Sequence, residues 1–293
     1  MSGQDFVIQL LTGLSRAGLL FIVSVGLTLV FGALRVINFA HGSLYMVGAF
    51  VASSVVALVG GNVGLLPALL LAGVAAAAVG VIFELAVLRR LYGQEHLLQL
   101  LATYALVLVL ADLVRLVWGA QNRTVARPAG LDGSIHVLGG PFPVYSLFII
   151  GAAAAIGMAM WWLMSRTGLG RDIRAAVVDP EMLGGVGVDV RRLFTTVFAL
   201  GALLAGLGGA IVAPSGAVGP GMDIEIMVEA FAVTIIGGLG SIPGALAGAT
   251  IVGLIDAFGV QLAPRLSLAF VFLAMVAVLA VRPSGLFGLP ERA

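Results

Sequence analysis

The chain has 293 residues, of which 61% are hydrophobic and 10% charged, and its mean hydropathy is +1.16. Soluble domains run at roughly 45–50% apolar and about 25% charged. So few charges cannot clothe this much apolar surface in water, so lipid is the solvent for much of it and a free soluble enzyme is excluded. The net charge of +1 gives no strong pull on nucleic acid. With no Cys, disulfides, thiolate metal sites and a Cys nucleophile are all excluded. No metal site is expected. Every cationic residue is Arg and none is Lys, a bias to which no function is attached.

Met1-Ser-Gly-Gln-Asp-Phe carries no basic segment, and the apolar stretch behind it is too long for a cleaved signal peptide, so it is expected to remain as a membrane span. A helix needs about 20 apolar residues to cross the hydrocarbon. Breaks at Gly, Pro and charges then predict spans near 15–33, 43–60, 65–88, 97–118, 145–165, 193–213, 226–239, 244–261 and 266–281. That makes an all-α polytopic membrane protein with about nine crossings. Residues 4–14 suit an interfacial lead-in, and 226–239 is short enough for a half-helix or re-entrant piece.

Arginine distribution orients the chain. Arg35, Arg89, Arg90, Arg166, Arg171, Arg174, Arg191, Arg192, Arg282 and Arg292 fall on one side. Arg123, Arg127 and Arg265 fall on the other, with Arg16 and Arg115 near its interface. The bias predicts an external N-terminus and an internal C-terminus. The connection 119–144, rich in Gly and Pro, is then external. The connection 166–192, with five Arg and four acids, is the one sizeable polar structure expected on the inner face.

That inner segment has its own punctuation. Residues 168–178 suit a short helix, and Asp179 can cap a second one, with Pro180 at its first position and Glu181 in its first turn. Gly184, Gly185 and Gly187 end it and allow a tight return. Met182, Leu183 and Val186 form an apolar knob among charges, of a kind that fits a groove on a partner protein. The plainer alternative is a solvated loop that obeys the charge bias.

Two further segments interrupt apolar runs. In Arg35-Val-Ile-Asn-Phe-Ala-His-Gly-Ser43, the polar groups of Asn38 and His41 need partners or water inside hydrocarbon. They line a cavity, as in broken-helix transporters, or tie neighbouring helices together. In Ile236-Gly-Gly-Leu-Gly-Ser-Ile-Pro-Gly-Ala-Leu-Ala-Gly248, Pro243 and the glycines predict a broken helix or sharp hairpin. Gly237, Gly238, Gly240 and Gly244 are pathway candidates there, although close packing of helices explains them as well.

Charges in or beside spans are Glu84, Asp112, Arg115, Glu229 and Asp256. Asp112 and Arg115, three apart, read as a local pair, and Glu84 is expected to reach water at the inner end. Glu229 and Asp256 are possible pathway charges, either a coupling-ion site or helix-packing partners. There is no HExxH, GxSxG or Walker loop, and without Lys no Walker loop is possible, so the chain cannot itself be a standard ATPase.

At this point the residues resemble a known family. VINFAHGSLYM (residues 36–46) is similar to the INFAHG motif of the LivH-type permeases of bacterial branched-chain amino acid ABC importers. RAAVVDP…GVGVDVRR resembles their ATPase-coupling segment, and GGLGSIPGALAG and RPSGLFG match later motifs in the same order. The resemblance spans roughly 8–288. It implies the ABC importer permease fold and one transmembrane permease domain of the bacterial inner membrane. Its implied partners are a LivM-like second permease, two cytoplasmic ATP-binding subunits that carry the ATP and Mg, and a periplasmic substrate-binding protein; this chain itself would hold no cofactor. It also implies that Gly168, Gly170, Arg171, Arg174, Ala175, Asp179, Gly184 and Gly187 fall where the family contacts its ATPase. The chain departs from the family at Ser43, where an acid is common, and at Glu229, where Lys is frequent. These departures leave urea, amides, and aromatic or other carboxylates as alternative substrates. The rivals from other classes are a stand-alone secondary transporter or channel and a structural scaffold.

Overall fold

The computed structural model describes residues 3–60, 64–138 and 140–288; Arg292 lies outside the described residues. The chain is built from α1 (Gly3–Leu34), α2 (Ala40–Val59), α3 (Leu65–Ala86), α4 (His96–Trp118), α5 (Val144–Arg166), α6 (Gly168–Val178), α7 (Pro180–Gly185), α8 (Val190–Val212), α9 (Met222–Gly237), α10 (Ile242–Leu262) and α11 (Ser267–Val281). Among the described residues, eight helical segments are long and apolar enough to cross a membrane. The ninth apolar helix, α9, has 16 residues, about 24 Å at 1.5 Å per residue, and so falls short of a full crossing. The expected count of about nine holds, with the short piece at α9 where the sequence places it; α11 reaches crossing length together with the 3-10 turn before it, as Pro264–Val281.

Helix α1 is the axis of the bundle. Its apolar run from Ala17 to Val30 is buried throughout, against α5, α8, α9 and α10. Lipid supplies no hydrophobic drive between helices, so small residues that let backbones approach closely do the packing. A Cβ on Gly201 would collide with Val30, one on Gly253 with Ala17, and one on Gly209 with the Tyr45 carbonyl. At the periphery the requirement disappears: α11 buries only Val271 and is apolar all round.

The connection 119–144 is more ordered than a Gly- and Pro-rich loop suggests. β2 (Ser134–Val137) and β3 (Gly140–Pro143) form a hairpin, and β1 (Arg123–Thr124) pairs antiparallel with β4 (Ala217–Val218). The second pair ties the 119–144 segment to the end of α8. The Tyr145 hydroxyl adds a bond to the Ile211 carbonyl at 2.8 Å.

Candidate functional site

The segment between α5 and α8 folds as two short helices, each with a side-chain cap. Thr167 Oγ1 accepts from the Gly170 amide at 3.1 Å to start α6. Asp179 ends α6 and starts α7: its amide donates to the Ala175 carbonyl at 3.0 Å, and its Oδ1 accepts from the Met182 amide at 2.9 Å. Pro180 stands in the first turn of α7, and Gly187, at φ +91°, turns the chain towards α8. The sequence-derived anatomy therefore stands, with one correction: Leu183 is buried towards the bundle, so the exposed apolar tip is Met182 and Val186. Arg171 and Arg174 are exposed, and Arg174 Nη1 also donates to the Met164 carbonyl. Gly170 packs so closely on Leu163 and Met164 that a Cβ there would overlap their backbone, whereas a Cβ on Gly184 would meet only Val190, at an ordinary contact distance of 3.7 Å.

These helices connect to the first break. Arg35 leaves α1 at φ +55°, a left-handed conformation that costs a side-chain-bearing residue about 1–2 kcal/mol. Its Nη2 donates to the Val177 carbonyl at the end of α6, at 3.2 Å. Beyond it residues 35–38 are non-helical. The Asn38 and His41 side chains are both buried and turned inward: Asn38 Oδ1 accepts from the Ala40 amide at 3.1 Å, and His41 Nε2 meets the Val23 carbonyl at 2.9 Å. The side chain that emerges between them is Phe39, whose ring lies tilted against Phe231 of α9 with centroids 5.3 Å apart.

At the second break, α9 ends at Gly237 and α10 starts at Ile242, capped by Ser241 Oγ on the Gly244 amide at 3.1 Å. Gly238 at φ +101° and Gly240 at φ +81° make the turn, and Gly237 and Gly244 touch backbone to backbone. No local pattern signals what covers this turn. The RPSGLFG segment folds back, and Leu286 and Phe287 amides donate to the Ile236 and Gly237 carbonyls, each at 2.9 Å. These bonds satisfy carbonyls that the end of α9 would otherwise leave without partners.

The charges sort differently from the sequence expectation. Asp112 and Arg115 do pair, at 3.6 Å and exposed. Glu84 does not reach water: it is 0% exposed and accepts from Thr195 Oγ1 at 2.9 Å, the Tyr92 hydroxyl at 3.1 Å and Arg89 at 3.4 and 3.5 Å. The shift follows from position: the short 3-10 turn over Leu88–Leu91 folds Arg89 and Tyr92 back over the end of α3. Burial and the neighbouring Glu84 carboxylate hold the Tyr92 phenol above its ordinary range.

Glu229 and Asp256 come together, and Arg16 joins them. Arg16 Nη2 sits 2.7 Å from both oxygens of Glu229, and its Nε lies 3.3 Å from Asp256 Oδ2. Three helices, α1, α9 and α10, thus share one charge cluster. Sequence reasoning placed Arg16 near the outer interface but had no signal for its partners, 213 residues away in the case of Glu229. Ser43 donates to a buried acid, Asp223 of α9, at 3.0 Å. Among the described residues no three His, Asp or Glu side chains are grouped to hold a metal ion.

Comparison with known proteins agrees with this architecture. The family described as "branched-chain amino acid transport system / permease component" matches residues 9–279. The chain is 29% identical to the high-affinity branched-chain amino acid transport system permease protein BraD of Pseudomonas aeruginosa, over 97% of this chain and 96% of BraD. It is 28% identical to LivH of Escherichia coli K12, described in the same words, over 98% of this chain and 96% of LivH. A probable branched-chain amino acid transport permease protein LivH of Methanocaldococcus jannaschii is 29% identical over 93% of this chain and 89% of its own length. No solved structure matches. A permease component is not itself a catalyst. With its apolar helices and its matched length, the chain is a multi-pass protein of the inner (plasma) membrane and belongs to the family of branched-chain amino acid transport system permease components.

Proposed function

We propose that this chain is one of two membrane permease subunits of an ATP-driven importer of branched-chain amino acids. A LivM-like second permease completes the pathway, a periplasmic binding protein delivers the solute, and two cytoplasmic ATP-binding subunits hold ATP and Mg. The observation that carries the reading is the α6–α7 pair, capped at Thr167 and Asp179, with Met182 and Val186 exposed at its tip. In this reading Gly168, Gly170, Arg171, Arg174, Ala175, Asp179, Gly184 and Gly187 form the ATPase-coupling surface of a cytoplasmic segment 166–192, and 119–144 is periplasmic. The Arg35–Val177 bond carries displacement of α6 into α1 and the Asn38–His41 break. Gly237, Gly238, Gly240 and Gly244 supply the turn on which α9 and α10 move, and Glu229 and Asp256 are pathway charges.

The test is the Arg174→Ala, Asp179→Ala double variant in the complete transporter. Removing the Asp179 cap costs α7 about 1 kcal/mol, and removing Arg174 strips an exposed cation beside it. The variant is expected to reach the membrane in normal amount, with solute-stimulated ATP hydrolysis retained and uptake reduced at least tenfold. Uptake at the wild-type rate would overturn the coupling role.

A further inference from the structure

We propose that Arg16, Glu229, Asp256 and Tyr45 form a cation-accepting station on the pathway wall, which takes the ammonium group of a passing zwitterionic solute. This rests on the permease reading above and adds the chemistry of one site to it.

Two carboxylates face one guanidinium. Arg16 is the single cation within ion-pairing distance of either acid among the described residues, so the cluster carries a net charge of −1. Glu229 is gripped by Nη2 through both oxygens, whereas Asp256 is held through Oδ2 alone. Asp256 Oδ1 has no protein partner among the described residues. Arg16 Nε, although 3.3 Å from Asp256, makes no aligned hydrogen bond. The negative charge in excess therefore resides on Asp256.

The cluster is also open. Side-chain exposure is 34% for Arg16, 17% for Glu229 and 27% for Asp256. An unbalanced charge turned towards hydrocarbon is strongly disfavoured, so that opening faces water or a polar ligand. From Arg16 to the inner end of α1 the chain is apolar, and the cluster stands at the outer edge of that run. Inward from it, the uncovered face of α9 continues through Phe231, against the exposed Phe39. A charged mouth thus leads onto an apolar, aromatic face. A solute with an ammonium head and a branched aliphatic tail finds both chemistries in order.

Tyr45 supplies an independent sign of a ligand. It is 3% exposed and stands in electrostatic range of Arg16 and Glu229, yet no hydrogen bond engages its hydroxyl among the described residues. The ring is buried while the hydroxyl oxygen keeps some accessible surface and no protein partner among the described residues, so it is available to a ligand. A primary ammonium has three donors, and Asp256 Oδ1, a Glu229 oxygen and the Tyr45 hydroxyl oxygen are three acceptors. Arg16 remains beside them, which keeps the site from binding a cation so tightly that it could not leave.

The chain has no Cys, so a single introduced thiol reports directly. Val260, one turn beyond Asp256 on α10 and half-exposed, is replaced by Cys in the assembled transporter in nanodiscs, where both faces are accessible; Leu273→Cys on α11 is the lipid-facing control. Cationic and anionic methanethiosulfonates are compared. Val260→Cys is expected to react at least tenfold faster than Leu273→Cys. Its cationic-to-anionic rate ratio should fall at least fivefold on Asp256→Asn and be restored by Asp256→Glu, a pattern that misfolding does not produce. Isoamylammonium should slow the cationic reagent while 4-methylpentanoate does not. Reaction at Val260→Cys no faster than at the control would mean that this face meets lipid, and would overturn the pathway placement. Fast reaction with an unchanged ratio in Asp256→Asn would leave the permease reading intact and overturn the cation station. Equal protection by NaCl at the same concentration would overturn the ammonium assignment in favour of an inorganic cation.

Discussion

Glu84 offers the sharpest stability test, because every interaction it makes is visible. It is fully buried at the C-terminal end of α3, and Glu84→Gln keeps its volume while removing its charge. Hydrogen bonds to a charged group contribute about 1.5–3 kcal/mol each. The Thr195 and Tyr92 bonds, at 2.9 and 3.1 Å, fall in that range. The Arg89 contacts, at 3.4 and 3.5 Å to a side chain 32% exposed, are screened and contribute little. A glutamine has one acceptor oxygen to offer two hydroxyl donors, and its amide group turns donors towards donors. The loss should be about 3 kcal/mol, roughly a hundredfold in the ratio of folded to unfolded protein. Denaturant titration of the purified protein in detergent measures it, with double-mutant cycles against Thr195→Val and Tyr92→Phe. Each pair should show a coupling of about 1 kcal/mol. Additivity in both cycles, within about 0.5 kcal/mol, would refute the claim that this network holds α3 to the start of α8.

Two further perturbations are specified by the geometry. Gly237→Ala sets a Cβ onto the Gly244 carbonyl, where backbone meets backbone and neither side can yield; Gly151, on α5, has open space around it. The yield of monodisperse protein on gel filtration should fall several-fold for Gly237→Ala and stay unchanged for Gly151→Ala. Arg35→Gly removes the left-handed strain together with the bond to Val177, so melting should occur at or above the wild-type temperature while uptake falls; Arg35→Ala keeps the strain and should melt lower.

The spans were legible because their signal is one of length and composition, and lipid enforces both. The cap at Asp179 was legible because its motif is local: an acid before Pro specifies a helix start without knowledge of anything distant. Ser241, two residues before Pro243, caps α10 in the same local way but was not singled out. Glu84 was misread for the opposite reason. Its solvent exclusion comes from Thr195, 111 positions away, and from a 3-10 turn whose apolar and basic residues carry no distinctive pattern. The same holds for Arg16: each charge of the cluster was visible singly, but bringing α1 against α9 and α10 is a tertiary fact. Asn38 and His41 remain compatible with both roles expected of them, lining a pathway or tying helices together, and His41 Nδ1 has no partner among the described residues. Both are polar groups in an apolar setting, and both bond inward to close a helix start and brace α1.

Helix α1 joins the two ends of the proposed mechanism. Arg16 and Leu34 bound an unbroken helical stretch of about 27 Å at 1.5 Å per residue. Its C-terminal end is tied through Arg35 to α6, and its other end holds Glu229 and Asp256 through Arg16. Close packing against Gly201 and Gly253 resists bending, so in the proposed mechanism a displacement of α6 would be transmitted as tilt. A tilt of about 10° over that length moves one end by about 5 Å relative to the other, more than the 2.7 and 3.3 Å separations within the charge cluster. Of the partners of Arg16, Asp256 sits on α10, which packs on α1 backbone to backbone at Gly253 and Ala17 and follows it, whereas Glu229 sits on α9, joined to α10 by a glycine turn. Nucleotide-driven motion at the inner face would then change how much of the Glu229 charge Arg16 neutralises. The affinity of the outer site for a cationic head group would alternate with the same stroke that moves the helices.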